Sequence, residues 1–201
     1  MSLTTYDNLK TAIANRLHRS DLTNSIPDYI TLCEDKLNKR LRLRAMEERA
    51  TSSVSTEYVA LPTGFLAIRN IQLNSDPKVR LEYVTPDYID KNYADSATGE
   101  PVFYTIVGGE IQLAPPPDTA YTMEMSYFKK LDLATDLTNW VLTNSPRVYF
   151  YGALLEAVTD LKNDNRVPMW SGLFETALRE LEFSDKGDRY PLGGGLQMRP
   201  G

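Results

Sequence analysis

The sequence predicts an α+β protein: N- and C-terminal helix pairs form a four-helix bundle, a mostly antiparallel β domain is inserted between them, and a flexible tail ends the chain. Three observations carry this. Apolar residues recur at intervals of three and four up to residue 44 and again over 139–185, the spacing of a helix face. Between residues 45 and 138 they alternate with period two and are punctuated by glycine and proline. From Lys186 to Gly201 the periodicity is lost, with five glycines and two prolines. A length of 201 residues suits one domain carrying an insertion, and it is enough to bury a core without disulfides.

Tyr6, Leu9, Ile13 and Leu17 form the stripe of the first helix. Asp21 to Asn24 is polar punctuation. Ser25 is placed as the cap of a second helix, with Pro27 and Asp28 in its first turn and Ile26, Ile30, Cys33, Leu37 and Leu41 on its apolar face. Arg40 to Ala45 alternates with period two, so the helix is expected to stop there and the chain to run on extended. Glu57 to Leu61 reads as a strand closed by the turn Pro62-Thr63-Gly64, followed by strands over Phe65–Leu73 and Val79–Thr85. Pro86 to Asp90 is expected to form a single helical turn. Val102–Val107 and Glu110–Leu113 flank Gly108-Gly109, a pair that supplies the positive φ of a tight hairpin. Pro115 to Asp118 stiffens the approach to a last strand, Tyr121–Phe128, with Tyr121, Met123, Met125 and Tyr127 on one face.

Ser145 and Pro146 open a third helix with the stripe Val148, Tyr151, Leu154, Leu155, Val158 and Leu161. Pro168 opens a fourth, with Trp170, Leu173, Phe174, Ala177, Leu178 and Leu181 inward. The tetrapeptide Leu-Thr-Asn-Ser occurs at 22–25 and at 142–145, each time before a proline and a long helix. It reads as equal cap chemistry at two helix starts or as a trace of duplication between the two halves.

Composition narrows the function. The single cysteine, Cys33, permits no internal disulfide and no cysteine-built metal site, and its place on an apolar stripe reads as a core thiol. The single histidine, His18, removes His-pair zinc chemistry; it sits beside Arg19 at a helix end, where a cation complements the dipole. No run nears the roughly 20 apolar residues of a bilayer span, and the N-terminus lacks a signal-peptide core. Synthesis in a reducing cytoplasm and no membrane partner are expected. Gly193 to Gly195 lacks the Lys-Ser/Thr of a phosphate loop. Glu47-Glu48 and the Asp132/Asp136 pair lack metal-loop spacing. No catalytic, cofactor or metal residue is assigned, and no enzymatic turnover is expected.

A net charge of −5 argues against a dedicated nucleic-acid binder. The charge is uneven: residues 1–50 hold nine basic and seven acidic side chains, the remainder thirteen and twenty. Lys36, Lys39, Arg40, Arg42 and Arg44, with Arg49 close by, make the one charge cluster above background. It reads as a solvated face or as a contact for an acidic partner or DNA.

The strings Glu57–Pro62, Phe65–Leu73, Pro101–Ile106, Glu110–Pro115 and Tyr149–Ala157, in that order after the first helix, resemble bacteriophage head–tail adaptor proteins akin to tail tubular protein A of short-tailed phages. The resemblance runs over about residues 4–183. It implies a structural virion protein, assembled in the host cytoplasm. Copies would close into a ring, twelve-fold in this family, between the portal protein and a downstream tail or nozzle protein. DNA would pass through the bore without tight binding. It also implies a C-terminal extension that grips the portal, which makes Tyr190, Pro191, Leu192, Leu196, Met198 and Arg199 the candidate portal contacts. At about 3.3 Å per residue the segment from Lys186 reaches roughly 50 Å, far enough to cross a subunit boundary, and such segments order on partners by seating apolar side chains in grooves. Two other classes stay open on the residues alone. One is a small-ligand or carbohydrate binding module using the tyrosine-rich β domain; the other is an enzyme completed only across a subunit interface.

Overall fold

A computed structural model describes residues 3–93, 97–161 and 164–189. The chain forms two compact units, one from its two ends (up to Ala45 and from Leu131) and one from Met46–Lys130. The first is helical and the second is built of sheets, so the protein is α+β.

In the helical unit, α1 (Tyr6–Leu17) begins at Thr5, whose extended backbone lets its Oγ1 accept from the Asn8 N–H. It ends at His18, in the left-handed region at φ 53°, whose N–H closes on the Ala14 carbonyl. Leu9, Ile13 and Leu17 are buried as the spacing predicts. α2 (Ile26–Arg40) buries Ile26, Tyr29, Ile30, Cys33 and Leu37. Buried Leu41 and Leu43 then flank exposed Arg42, and the expected extended run is short, because Arg44–Met46 forms a 3-10 turn. The chain returns through α4 (Leu133–Asp136) and α5 (Trp140–Asn144), capped by the side chains of Asp132 and Asn139. α6 (Pro146–Glu156) and α7 (Val167–Arg189) complete the unit.

Three sequence expectations are corrected here. Ser25 and Ser145 make no side-chain cap bonds. Each ends a preceding short helical segment, Thr23–Ser25 or Trp140–Asn144, and neither has the extended backbone that aims a cap side chain at the next N–H groups. The single stripe of the third helix is also absent. α6 packs on α1, α2, α5 and α7 and buries Val148, Tyr149, Phe150, Gly152, Ala153 and Leu154, well over half its circumference. A helix held by four partners keeps only a narrow solvent side, here Arg147, Tyr151 and Leu155. Tyr151 and Leu155 are only half-buried, while Val158 and Leu161 lie past its end. The other helices are gathered around α6. Finally, α7 continues through Arg189, so Lys186–Arg189 are helical; the remainder of the predicted tail lies outside the described residues.

Gly152 is where α6 meets α2. A Cβ there would collide with Cys33 Sγ and come within 3.0 Å of the Phe174 ring. Gly152→Ala should lower stability by about 1–3 kcal/mol through overpacking, read as a lower urea midpoint. Adding Cys33→Ala should recover part of the loss; an unchanged midpoint in the single variant would refute the close approach.

The second unit has two four-stranded sheets. β1 (Glu47–Val54), β3 (Phe65–Leu73), β4 (Val79–Arg80) and β8 (Tyr121–Lys129) form one, in the order β1-β8-β3-β4. β2 (Tyr58–Ala60), β5 (Glu82–Tyr83), β6 (Phe103–Val107) and β7 (Glu110–Ala114) form the other, in the order β2-β7-β6-β5. Every pairing is antiparallel except β5 with β6. On β8 the residues Met123, Met125 and Tyr127 face inward, opposite Leu73, Ile71 and Ile68 on β3. With Val54, Leu81, Tyr104, Ile111 and Leu113 they make one apolar cluster shared by both sheets. Gly108 and Gly109 turn the β6–β7 hairpin at φ 61° and 87°.

The strand expected over Val79–Thr85 is two short pieces. Leu81 is buried between them and donates its N–H to Ile71, so β4 joins one sheet and β5 the other. The single turn expected at Pro86 is the eight-residue helix α3 (Pro86–Tyr93), anchored by buried Ile89. β1 carries no strand signal of its own, since only Val54 of its residues is buried; pairing with β8 along its full length holds it.

Candidate partner-binding surfaces

Within the helical unit, side chains of α2 and α7 grip the backbone where the chain leaves and returns. Asp185, buried on α7, accepts from the Arg44 N–H at 2.7 Å. Asn38 pairs with Leu131 twice: its Oδ1 accepts from the Leu131 N–H at 2.7 Å and its Nδ2 donates to the carbonyl at 3.0 Å. One carboxamide thus replaces a neighbouring strand. Glu34 Oε1 accepts from the Leu133 N–H at 2.9 Å and from the Tyr149 hydroxyl at 3.0 Å, and Asn139 Nδ2 donates to that hydroxyl oxygen at 2.7 Å. Burial pushes the Glu34 carboxyl above its ordinary range, against the two hydrogen bonds that favour its ionised form. Sequence reasoning missed all three residues. Glu34 did leave a trace, as a charge set beside Cys33 on an otherwise apolar face.

The basic cluster lies along the C-terminal half of α2 and the run after it, and the structure supplies internal partners. Lys36 pairs with Glu156 at 2.5 Å, Lys39 with Asp35 at 2.5 Å, and Arg40 with Glu175 and Glu182 on α7 at 3.0 Å each. The Arg42 guanidinium donates to the carbonyls of Asn38 and Leu41. The candidate portal residues Tyr190, Pro191, Leu192, Leu196, Met198 and Arg199 lie outside the described residues.

A feature that no sequence spacing announced is an open groove of about 560 Å³ along α1 and α6. The rings of Phe150 and Tyr151, edge to face at 5.3 Å, form its floor. Ala12 contributes an apolar wall, and Arg16, His18 and Arg147 stand around it. The Arg16 guanidinium lies over the Phe150 ring, 5.6 Å from its centre, a cation–π contact that orients the fork. Arg147 is tied to Glu180 at 2.8 Å, whereas Arg16 makes no ion pair among the described residues.

In the β unit the aromatic side chains mostly pack on one another. Tyr88 and Tyr93 meet Phe103, Tyr83 meets Tyr104 edge to face at 5.7 Å, and Tyr104 and Tyr127 belong to the core. A cleft of about 380 Å³ opens beside Tyr83 and Tyr104, with Arg69 and Arg80 at its edge. Among the described residues no group of His, Cys, Asp and Glu is placed to hold a metal, and no helix is long and apolar enough to cross a membrane.

What the described surfaces offer is contact: an aromatic groove with an oriented guanidinium, and a long helix that leads into the C-terminal segment. A family model described as SU10 adaptor protein matches residues 4–199, a range that covers both units and includes all six candidate portal residues. The chain belongs to this family of phage head–tail adaptors. Its role is accordingly structural, as a virion component that works with other head or tail proteins. No curated protein matches the chain significantly.

Proposed function

We propose that copies of this chain close into a ring, twelve-fold as the family resemblance implies, between the portal and a downstream tail or nozzle protein. The family match carries this reading because it is continuous over residues 4–199 and so takes in the C-terminal segment as well as the folded units. Each contact in such a ring is heterologous, one face of a subunit on a different face of the next. DNA passes through the bore without being gripped. Residues 51–201 hold thirteen basic and twenty acidic side chains, a balance that disfavours tight binding through phosphate counterion release. The segment after Arg189 reaches the portal through Tyr190, Pro191, Leu192, Leu196, Met198 and Arg199.

The test is assembly with the portal protein. Wild type should bind portal rings in multiple copies, seen by particle mass, and should show no submicromolar affinity for duplex DNA at physiological salt. A chain ended after Arg189 should keep its melting temperature and lose portal attachment. The cut is placed there because Asp185 serves the fold through Arg44. Normal attachment and infectivity of the shortened chain would show that the segment is not the anchor.

A further inference from the structure

We infer that the outer face of α2 in one copy docks into the α1–α6 groove of the next copy, with Leu32 on the aromatic floor and Asp28 and Asp35 beside the arginines. This rests on the ring reading above and names the surfaces that make it.

Leu32 is a large apolar side chain left 51% exposed on a helix whose other apolar residues are buried. Asp28 and Asp35, both exposed, lie four positions before it and three after, hence on the same face and about 10 Å apart along the axis. Asp28 makes no ion pair among the described residues; Asp35 has only the solvent-exposed Lys39, a pair easily exchanged. The groove is the complement in both respects. It offers the half-buried Tyr151 ring, backed by buried Phe150, to an aliphatic side chain, and at Arg16 an oriented guanidinium with no carboxylate partner among the described residues, a group suited to bidentate pairing.

Placement supplies the second argument. α6 meets α2 through Tyr149, Gly152 and Glu156, which touch Glu34, Cys33 and Lys36 respectively. It meets the groove through Arg147, Phe150 and Tyr151. At 3.6 residues per turn the two sets point in nearly opposite directions from the α6 axis. On α2, the residues that touch α6 and the set Asp28, Leu32 and Asp35 diverge by about 140°. Groove and knob therefore lie on opposite sides of one unit. That arrangement repeats head to tail and can close, whereas two surfaces on one side would stop at a pair.

A cysteine pair, Ala12→Cys with Leu32→Cys, decides it, since the native Cys33 is buried. In portal-assembled complexes, mild oxidation of the double variant should give a ladder of covalent multimers on a non-reducing gel. Either single variant should give dimers at most. Arg16→Glu should raise the concentration needed for assembly at least tenfold, and Asp28→Lys in the same chain should bring it back; unchanged assembly in Arg16→Glu overturns the contact. If wild-type complexes have the mass of a ring but the double variant gives no ladder, the ring stands and this interface falls. If wild type binds the portal only as single copies, the ring reading itself falls and takes the interface with it. A cross-link from the Ala12→Cys single variant to portal protein would assign the groove to the portal and refute the proposal.

Discussion

Leu154→Ala should destabilise the helical unit by about 2–5 kcal/mol, and Leu37→Ala by a similar amount. Leu154 is fully buried on α6, the helix that every longer helix of the unit packs against, and Leu37 is buried on α2 where it meets α6. Truncating either removes apolar area from contact and leaves a cavity that packed helices cannot collapse into. Both tryptophans, Trp140 and Trp170, belong to this unit, so their fluorescence in a urea titration follows it directly. A loss under about 1 kcal/mol at both positions would contradict the α6-centred packing.

Glu34→Ala should cost nearly as much, because the Leu133 N–H and the Tyr149 hydroxyl would lose their shared acceptor inside the unit. Each buried donor left unpaired costs about 1–3 kcal/mol. Glu34→Gln should behave oppositely at neutral pH. Burial raises the carboxyl's pKa in the fold, so the folded chain holds that proton to higher pH than the unfolded chain does. The stability this supplies is complete below the unfolded value of about 4.3 and is lost as pH rises through the folded one. Glutamine keeps an oxygen for both donors and cannot ionise. Its advantage over wild type should therefore be near zero in acid and grow toward neutral pH, measured as the difference in urea midpoint. A gap that widens on acidification would mean that the ionised carboxylate is the form the fold prefers.

Regular, local features were legible in the residues. The stripe Leu9, Ile13 and Leu17, the alternation along Met123, Met125 and Tyr127, and the glycine pair at 108 and 109 each encode their geometry within a few positions. Periodicity reports a face only when a neighbour covers one side and water the other. That condition fails for α6, covered by four helices over well over half its circumference, and for β1, held by its pairing with β8. The same limit hid the splitting of Val79–Thr85 between two sheets.

The ordered series of strings from Glu57 to Ala157, with the first helix before it, was enough to point to the adaptor family, which the match over residues 4–199 shows. The amino-acid sequence by itself thus determined the α+β class, the places of the long helices and the β6–β7 hairpin, and the family. Only the tertiary structure decided that Arg40 faces Glu175 and Glu182, that Asn38 stands in for a strand beside Leu131, and that Arg16 lies over Phe150 with Ala12 and Tyr151 around it. The reason is separation along the chain. These partners are 93 to 142 residues apart, or in the groove come from α1 and α6 at opposite ends of the sequence, and no local propensity carries that information. Packing α1, α2 and α7 around α6 brings them together, and the surfaces available to a partner exist only once it has.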